Sequence, residues 1–215
     1  MERIKQKIEL TNLNPAVSDQ DIEELIRVAL SKEFLGICVP PFWVKKAKRD
    51  IGSDNLKLIT VAGFPFGYQM TESKEAEISK AIDNGADEID VVWNISAFKS
   101  QMNWPKIEVA RCSKLCHENS AILKVIIECS KLSPFEIEEA SKICVDAGAD
   151  FVKTSTGYAE YGARVEDVEL IKKTIGERAG IKAAGGIKTL EQAIELVNAG
   201  ADRIGSSGAG VWSFQ

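Results

Sequence analysis

Four ionisable side chains stand where the sequence is otherwise apolar. Asp90 lies in Glu88-Ile89-Asp90-Val91-Val92, Lys124 in Ile122-Leu123-Lys124-Val125-Ile126, Lys153 in Phe151-Val152-Lys153-Thr154, and Lys182 in Ile181-Lys182-Ala183-Ala184. Short apolar runs of this kind read as strands. Strand side chains alternate between faces, so if Leu123, Val125, Val152, Ile181 and Ala183 pack one way, the lysines point the other. Three ammonium groups then converge. A buried, unpaired charge is so costly that such a lysine either finds a carboxylate or gives up its proton. Asp90, and Glu128 on the expected face of Lys124, are the carboxylates within reach. If Glu9 lies elsewhere, they do not neutralise the set, and at least one amine has a lowered pKa. A neutral amine beside a second cation is the nucleophile of Schiff-base chemistry. Taken singly, each lysine reads more simply as a strand-end residue whose stem snorkels to water. Three together with an aspartate argue against that reading.

A second group of residues suits phosphate. Gly185-Gly186-Ile187-Lys188-Thr189 ends one apolar run and opens a helical pattern, and Gly205-Ser206-Ser207-Gly208 ends the last run. Glycines there serve any strand-to-helix turn. Two such clusters on the last two strands of a barrel, however, are where barrels bind phosphate through backbone amides and a helix N-terminus.

The elements that must position these groups follow a regular order. Gly85-Ala86-Asp87, Gly148-Ala149-Asp150 and Gly200-Ala201-Asp202 each close a helical pattern and open a strand, at separations of 63 and then 52 residues. These intervals suit two βα units of about 30 residues rather than one. Strands are expected near Lys5–Leu10, Gly36–Val39, Lys57–Gly63, Glu88–Asn94, Ile122–Glu128, Phe151–Thr154, Ile181–Gly185 and Arg203–Gly205. Helices are expected over Ser18–Leu30, Pro41–Arg49, Thr71–Asn84, Trp104–Cys116, Pro134–Ala147, Val165–Ile175 and Thr189–Asn198. Ser18, Ser133 and Thr189 supply start signals. Eight alternating units with continuously apolar strands, and no nucleotide-binding glycine fingerprint after the first, predict a closed (β/α)8 TIM barrel. One domain over residues 1–215 is expected, and the segment from Gly208 to Gln215 is too short for a full closing helix.

Composition narrows the partners. With 27 basic and 32 acidic residues and a net charge of −5, the chain has no basic stripe for nucleic acid or an anionic membrane. Its N-terminus lacks the apolar region of a signal peptide, so a cytoplasmic location is expected. The five cysteines, Cys38, Cys112, Cys116, Cys129 and Cys144, are an odd number and are expected to be reduced. Cys112, Cys116 and His117 imitate a metal cluster at helical spacing, but His117 is the only histidine. It reads instead as a last-turn residue beside buried thiols. Exposed Trp43 or Trp104 would suit the interface of a homo-oligomer.

The phrases around these residues resemble those of the deoxyribose-phosphate aldolase family, whose members form a Schiff base without a metal. They are Asp87-Glu88-Ile89-Asp90-Val91-Val92-Trp93-Asn94, Leu123-Lys124-Val125-Ile126-Ile127-Glu128, Asp150-Phe151-Val152-Lys153-Thr154-Ser155-Thr156-Gly157 and Ile181-Lys182-Ala183-Ala184-Gly185-Gly186-Ile187. The likeness runs from about Ile8 to Ser207 and includes Gly36-Ile37-Cys38-Val39-Pro40 and Gly63-Phe64-Pro65 in family order. It implies that Lys153 forms the imine with acetaldehyde, that Lys182 depresses its pKa, that Asp90 relays protons and that Lys124 steadies a hydroxyl or carbinolamine. Gly157, Gly185, Gly186, Lys188, Gly205, Ser206 and Ser207 would hold the phosphate of a small sugar, with no cofactor. Glu9, Thr11, Cys38, Cys129 and Thr154 are expected to line the pocket, Cys38 without a catalytic role.

The chain departs from the family pattern at Glu9, where Asp is usual, at Cys129 for Thr, at Trp93 for an aliphatic residue and at Ala184 for Ser. The family's C-terminal tail has no equivalent after Trp212-Ser213-Phe214-Gln215. These departures keep two alternatives open: a Schiff-base aldolase with a different aldehyde, and a sugar-phosphate-binding barrel without turnover.

Overall fold

A computed structural model describes residues 2–208. The segment 209–215, which carries the expectations about a closing helix and a C-terminal tail, lies outside the described residues. Eight parallel strands hydrogen-bond in chain order and close on themselves: β1 (Ile8–Thr11), β2 (Gly36–Val39), β3 (Lys57–Ala62), β4 (Glu88–Val92), β5 (Ile122–Ile126), β6 (Phe151–Lys153), β7 (Gly180–Ala184) and β8 (Arg203–Ser206). The expected (β/α)8 barrel is the observed architecture.

Helix α1 (Glu2–Lys5) precedes the first strand, and the strands are joined through helices α2 (Asp19–Ser31), α3 (Val44–Ile51), α4 (Thr71–Asp83), α5 (Ile95–Lys99), α6 (Trp104–Glu118), α7 (Pro134–Asp146), α8 (Val165–Ile175) and α9 (Leu190–Asn198), which form the outer ring. Local chemistry sets where several of them start. Ser18, Ser133 and Thr189 cap α2, α7 and α9, each exchanging hydrogen bonds with Asp21, Glu136 or Gln192 three residues on. Each such cap contributes about 1 kcal/mol. In α2 the buried residues Ile22, Leu25, Ile26 and Ala29 recur at three and four, so one face turns to the barrel wall. The outward strand residues Ile89, Leu123, Val125, Val152, Ile181 and Ala183 are buried beneath this ring.

The boundaries differ from expectation where side chains or backbone break the pattern. Residues 2–5 form α1, so β1 begins only at Ile8. The segment from Pro41 starts as a 3-10 turn, Pro41–Trp43, before α3. Asn94 leaves the sheet to cap the unexpected α5 through the Ala97 amide. Strand β5 stops at Ile126 because Glu128 takes a left-handed conformation with φ 58°.

Candidate active site

Two kinds of side chain fill the barrel interior. Cys38, Ile59 and Val61 of β2 and β3 form a small apolar cluster separate from the outer core. The other strands bring in charge: Glu9 from β1, Glu88 and Asp90 from β4, Lys124 from β5, Lys153 from β6 and Lys182 from β7, all buried. Register sets their heights. Asp90 pairs with Lys124, but Lys153 pairs with Ile126, two residues further along β5, and with Lys182 across β7. Lys153 therefore stands nearer the C-terminal mouth than Lys124.

Asp90 is the hub. Its Oδ1 accepts from Lys124 at 3.0 Å, and its Oδ2 accepts from Lys153 at 2.7 Å and Lys182 at 2.6 Å. Lys182 also donates to Glu9. The Lys124 ammonium touches Glu88 at 2.6 Å, an ion contact without hydrogen-bond alignment, and Arg203 stands 3.7 Å from the other Glu88 oxygen. Gly205 leaves space for this set, since a Cβ there would stand 3.2 Å from the Lys182 Cε.

The electrostatics separate the lysines. Burial presses the Lys153 amine below its ordinary pKa, Asp90 opposes that, and the Lys182 charge adds to it. Burial also works against charge on Lys182 and Lys124, but Asp90 and Glu9 outweigh it and raise both. Burial opposes the Asp90 charge as well, yet three ammonium groups hold its carboxyl well below the usual range. Of the three amines, only Lys153 is pushed toward the neutral form. Burial moves the Cys38 thiol up to about 11, away from thiolate chemistry.

Above Lys153 opens a cavity of about 560 Å³, bounded by Gly157, Gly185, Gly186, Lys188, Gly205, Ser206 and Ser207 and by Thr11 and the β1–α2 loop. This volume falls in the range of small-molecule sites. The loops are locked together. Gly162 lies so close to Gly185 that a Cβ on it would sit 2.0 Å from the Gly185 carbonyl oxygen. Ser206 Oγ donates to the Ile187 carbonyl at 2.8 Å, and the Tyr158 hydroxyl crosses the mouth to the Leu13 carbonyl at 2.9 Å. The backbone amides of Lys188 and Thr189 are engaged by Gln192 in the α9 cap. Those two amides are therefore already engaged within the helix cap.

A family model described as DeoC/LacD family aldolase matches residues 4–213. The chain belongs to the DeoC/LacD aldolase family. Deoxyribose-phosphate aldolase of Thermococcus kodakarensis is 45% identical over 207 residues, covering 95% of this chain and 92% of the relative. Among solved structures, the aldolase QR15 matches with a TM-score of 0.93 at 40% identity, covering 98% of this chain and 94% of its own. The tetrameric deoxyribose phosphate aldolase from Aeropyrum pernix matches with a TM-score of 0.90 at 31% identity, covering 97% and 88%. The resemblance read from the sequence motifs is thereby borne out.

In this DeoC/LacD aldolase some expected residues fall elsewhere. Glu9 is not apart from the lysines but bonded to Lys182, because barrel closure sets β1 beside β8. Glu128 does not serve Lys124. Its left-handed backbone breaks the strand alternation, and its carboxylate accepts from the Thr156 amide and hydroxyl. Of the expected pocket-lining set, Thr11 borders the cavity, while Glu9 and Cys38 lie in the barrel interior. Thr154 is buried between β6 and β7, where it accepts from the Ala184 amide, and Cys129 packs in the outer core. Trp93 is also outside the cavity, buried against Phe98 and donating to the Ile127 carbonyl at 3.2 Å.

Sequence reasoning missed Glu88 and Tyr158 in this aldolase. Glu88 shares the face of Asp90 two residues before it, a signal the alternation carried. Tyr158 carried none. The five cysteines are free and buried, and His117 Nε2 meets Asp150 at 2.9 Å. No helix among the described residues is long and apolar enough to cross a membrane.

Proposed function

We propose that this aldolase reversibly cleaves 2-deoxy-D-ribose 5-phosphate to D-glyceraldehyde 3-phosphate and acetaldehyde through a Schiff base on Lys153. The reading takes residues 1–215 as one domain acting in the cytoplasm. Its partners are a phosphorylated sugar and aldehydes rather than nucleic acid or a membrane, in keeping with the net charge of −5. The name of the Thermococcus relative supports the substrate. The observation that carries the mechanism is that Lys153 borders the cavity while sharing one Asp90 oxygen with Lys182.

The neutral Lys153 amine attacks the aldehyde carbon of the open-chain sugar, and loss of water from the carbinolamine leaves an iminium. Removal of the C3 hydroxyl proton then breaks the C2–C3 bond, with its electrons flowing into the iminium to give an enamine. The glyceraldehyde phosphate leaves, the enamine carbon is protonated, and water releases acetaldehyde. Asp90 passes protons at the Lys153 nitrogen, assisted by Lys182, while Lys124 fixes the carboxylate from its other oxygen. Glycines 157, 185, 186 and 205, with Lys188, Ser206 and Ser207, hold the phosphate end.

The alternative of a different aldehyde rested on Trp93, Cys129 and Glu9, none of which borders the cavity; of the four departures from the family pattern only Ala184 does. We also take the chain to form a homo-oligomer. Phe42, 83% exposed beside Trp43, supports this, and light scattering on the purified protein tests it. The activity is tested by borohydride reduction in the presence of acetaldehyde. A two-carbon adduct on Lys153, together with retro-aldol release of acetaldehyde from the sugar phosphate, is expected. Folded protein that forms neither overturns the reading.

A further inference from the structure

Beside the first cavity lies a second, of about 620 Å³, and Thr156 and Tyr158 border both. Its far wall is aromatic. Phe66 and Tyr68 stack with ring centroids 5.5 Å apart and planes 16° from parallel, yet remain 58% and 68% exposed. A stacked pair open to water offers its face to another flat apolar group.

This wall is held rigidly. Lys74 and Glu108, both fully buried, pair at 2.8 Å. The Lys74 ammonium donates to the Gly67 carbonyl at 2.7 Å, between the two stacked residues, and Glu108 accepts from the Asn94 amide at 2.9 Å. A buried ion pair is a costly way to stabilise a fold. Here it fixes two loops that border the second cavity, which suits a preorganised site. Tyr158, with Thr156, stands between the cavities. Its hydroxyl is tied to Leu13 across the mouth, and its ring stands edge-on to Phe64 at 5.5 Å.

We propose that the second cavity is a subsite for the aromatic ring of an unphosphorylated acceptor aldehyde, and that Tyr158 sets acceptor choice by walling it off from Lys153. The inference rests on the Schiff-base reading above. In the synthetic direction the Lys153 enamine carbon bonds to the acceptor carbonyl carbon. The carbonyl π electrons become an alkoxide that takes a proton. Water then hydrolyses the iminium, releasing the β-hydroxy aldehyde and the amine.

The test uses cinnamaldehyde, which cannot enolise and so serves only as acceptor, and cinnamyl alcohol as its unreactive mimic. In Tyr158→Ala the ratio of acetaldehyde addition to cinnamaldehyde over addition to glyceraldehyde phosphate should rise at least about tenfold. Tyr158→Phe, which keeps the ring, should stay near wild type, and Phe66→Ala added to Tyr158→Ala should cancel the rise. Cinnamyl alcohol should bind the wild-type protein, and Phe66→Ala should weaken that binding about fivefold or more. No rise in Tyr158→Ala, an equal rise in Tyr158→Phe, a rise that survives Phe66→Ala, or alcohol binding indifferent to Phe66 each overturns the subsite. Borohydride trapping at Lys153 in the same samples judges the Schiff-base reading separately. Its failure would leave the alcohol titration to decide the subsite.

Discussion

Lys153 and Lys182 donate to one and the same oxygen, Oδ2 of Asp90, at 2.7 and 2.6 Å. Two nitrogens so placed stand no further apart than two hydrogen bonds laid end to end, a range at which buried like charges repel strongly. Asp90 cannot relieve both equally. Lys182 has Glu9 in addition, so on the proposed mechanism the proton is retained there and Lys153 is the amine that yields it.

Replacing Lys182 with Met tests that division. The repulsion from Lys182 disappears and Asp90, still shared with Lys124, has one ammonium fewer to serve, so the Lys153 pKa moves up. Less neutral amine is then present at a given pH, and the acid limb of the imine-formation profile shifts to higher pH. The rate at neutral pH should fall on the order of a hundredfold, measured by borohydride trapping with acetaldehyde across a pH series. A limb that stays in place or moves down contradicts the assignment. The variant also takes from buried Glu9 its hydrogen-bonded partner, leaving it only Lys124 at 3.6 Å, and should lose about 3 kcal/mol of stability.

Lys153→Met should behave oppositely in stability. The folded pKa of Lys153 is depressed below its ordinary 10.5. Between the two values the unfolded chain binds more protons, so this group's contribution improves as pH rises through that window. Below the window its buried charge weakens the fold in full. Removing it should raise stability at neutral pH by about 1 kcal/mol, while Lys124 and Lys182 still pair with Asp90. Calorimetry should show the gain shrinking under alkaline conditions, and the acetaldehyde adduct should vanish. A large loss of stability at neutral pH contradicts the expectation.

Asp90, Lys124, Lys153 and Lys182 were legible in sequence because each interrupts an apolar strand, and a period of two turns that interruption into a direction. Glu9 was not. Its bond to Lys182 spans 173 residues and exists only because β8 closes onto β1, a global event that no local pattern encodes. Glu128 shows the opposite failure: two residues past the end of β5 the backbone turns left-handed and the alternation no longer applies. The three Gly-Ala-Asp phrases marked β4, β6 and β8 correctly because each combines a helix stop with a strand start. Tyr158 sits in a loop whose path is set by contacts with Leu13 and Phe64, from β1–α2 and β3–α4.

Glu88→Gln separates the floor of the charge cluster from its working end. Glu88 reaches Lys153 only through Lys124 and Asp90. Losing its charge leaves Lys124 with Asp90 and a more distant Glu9 at 3.6 Å. A lowered melting temperature with less than about a tenfold fall in kcat is expected, since the partner charge is removed but the reacting amine keeps its immediate neighbours. Asp90→Asn, by contrast, should lower kcat by roughly a hundredfold or more. Thermal unfolding and steady-state kinetics on both variants check this, and equal kinetic losses would place Glu88 in the proton path itself.

Ser207→Glu addresses the phosphate end. Ser207 is exposed on the rim of the first cavity, just beyond β8, so a longer side chain there extends into solvent and cavity without disturbing the barrel. A carboxylate at that point meets the sugar phosphate as a like charge. Such juxtaposition weakens binding by a few kcal/mol, and KM for the phosphorylated sugar should rise roughly a hundredfold. The repulsion acts on the ground state and the transition state alike, so kcat should fall far less than KM rises. Acetaldehyde carries no phosphate and meets Lys153 at the other end of the cavity, so its borohydride trapping should be much less affected. Steady-state kinetics on the sugar phosphate beside trapping with acetaldehyde gives both readings. An unchanged KM would move the phosphate away from the β8 loop.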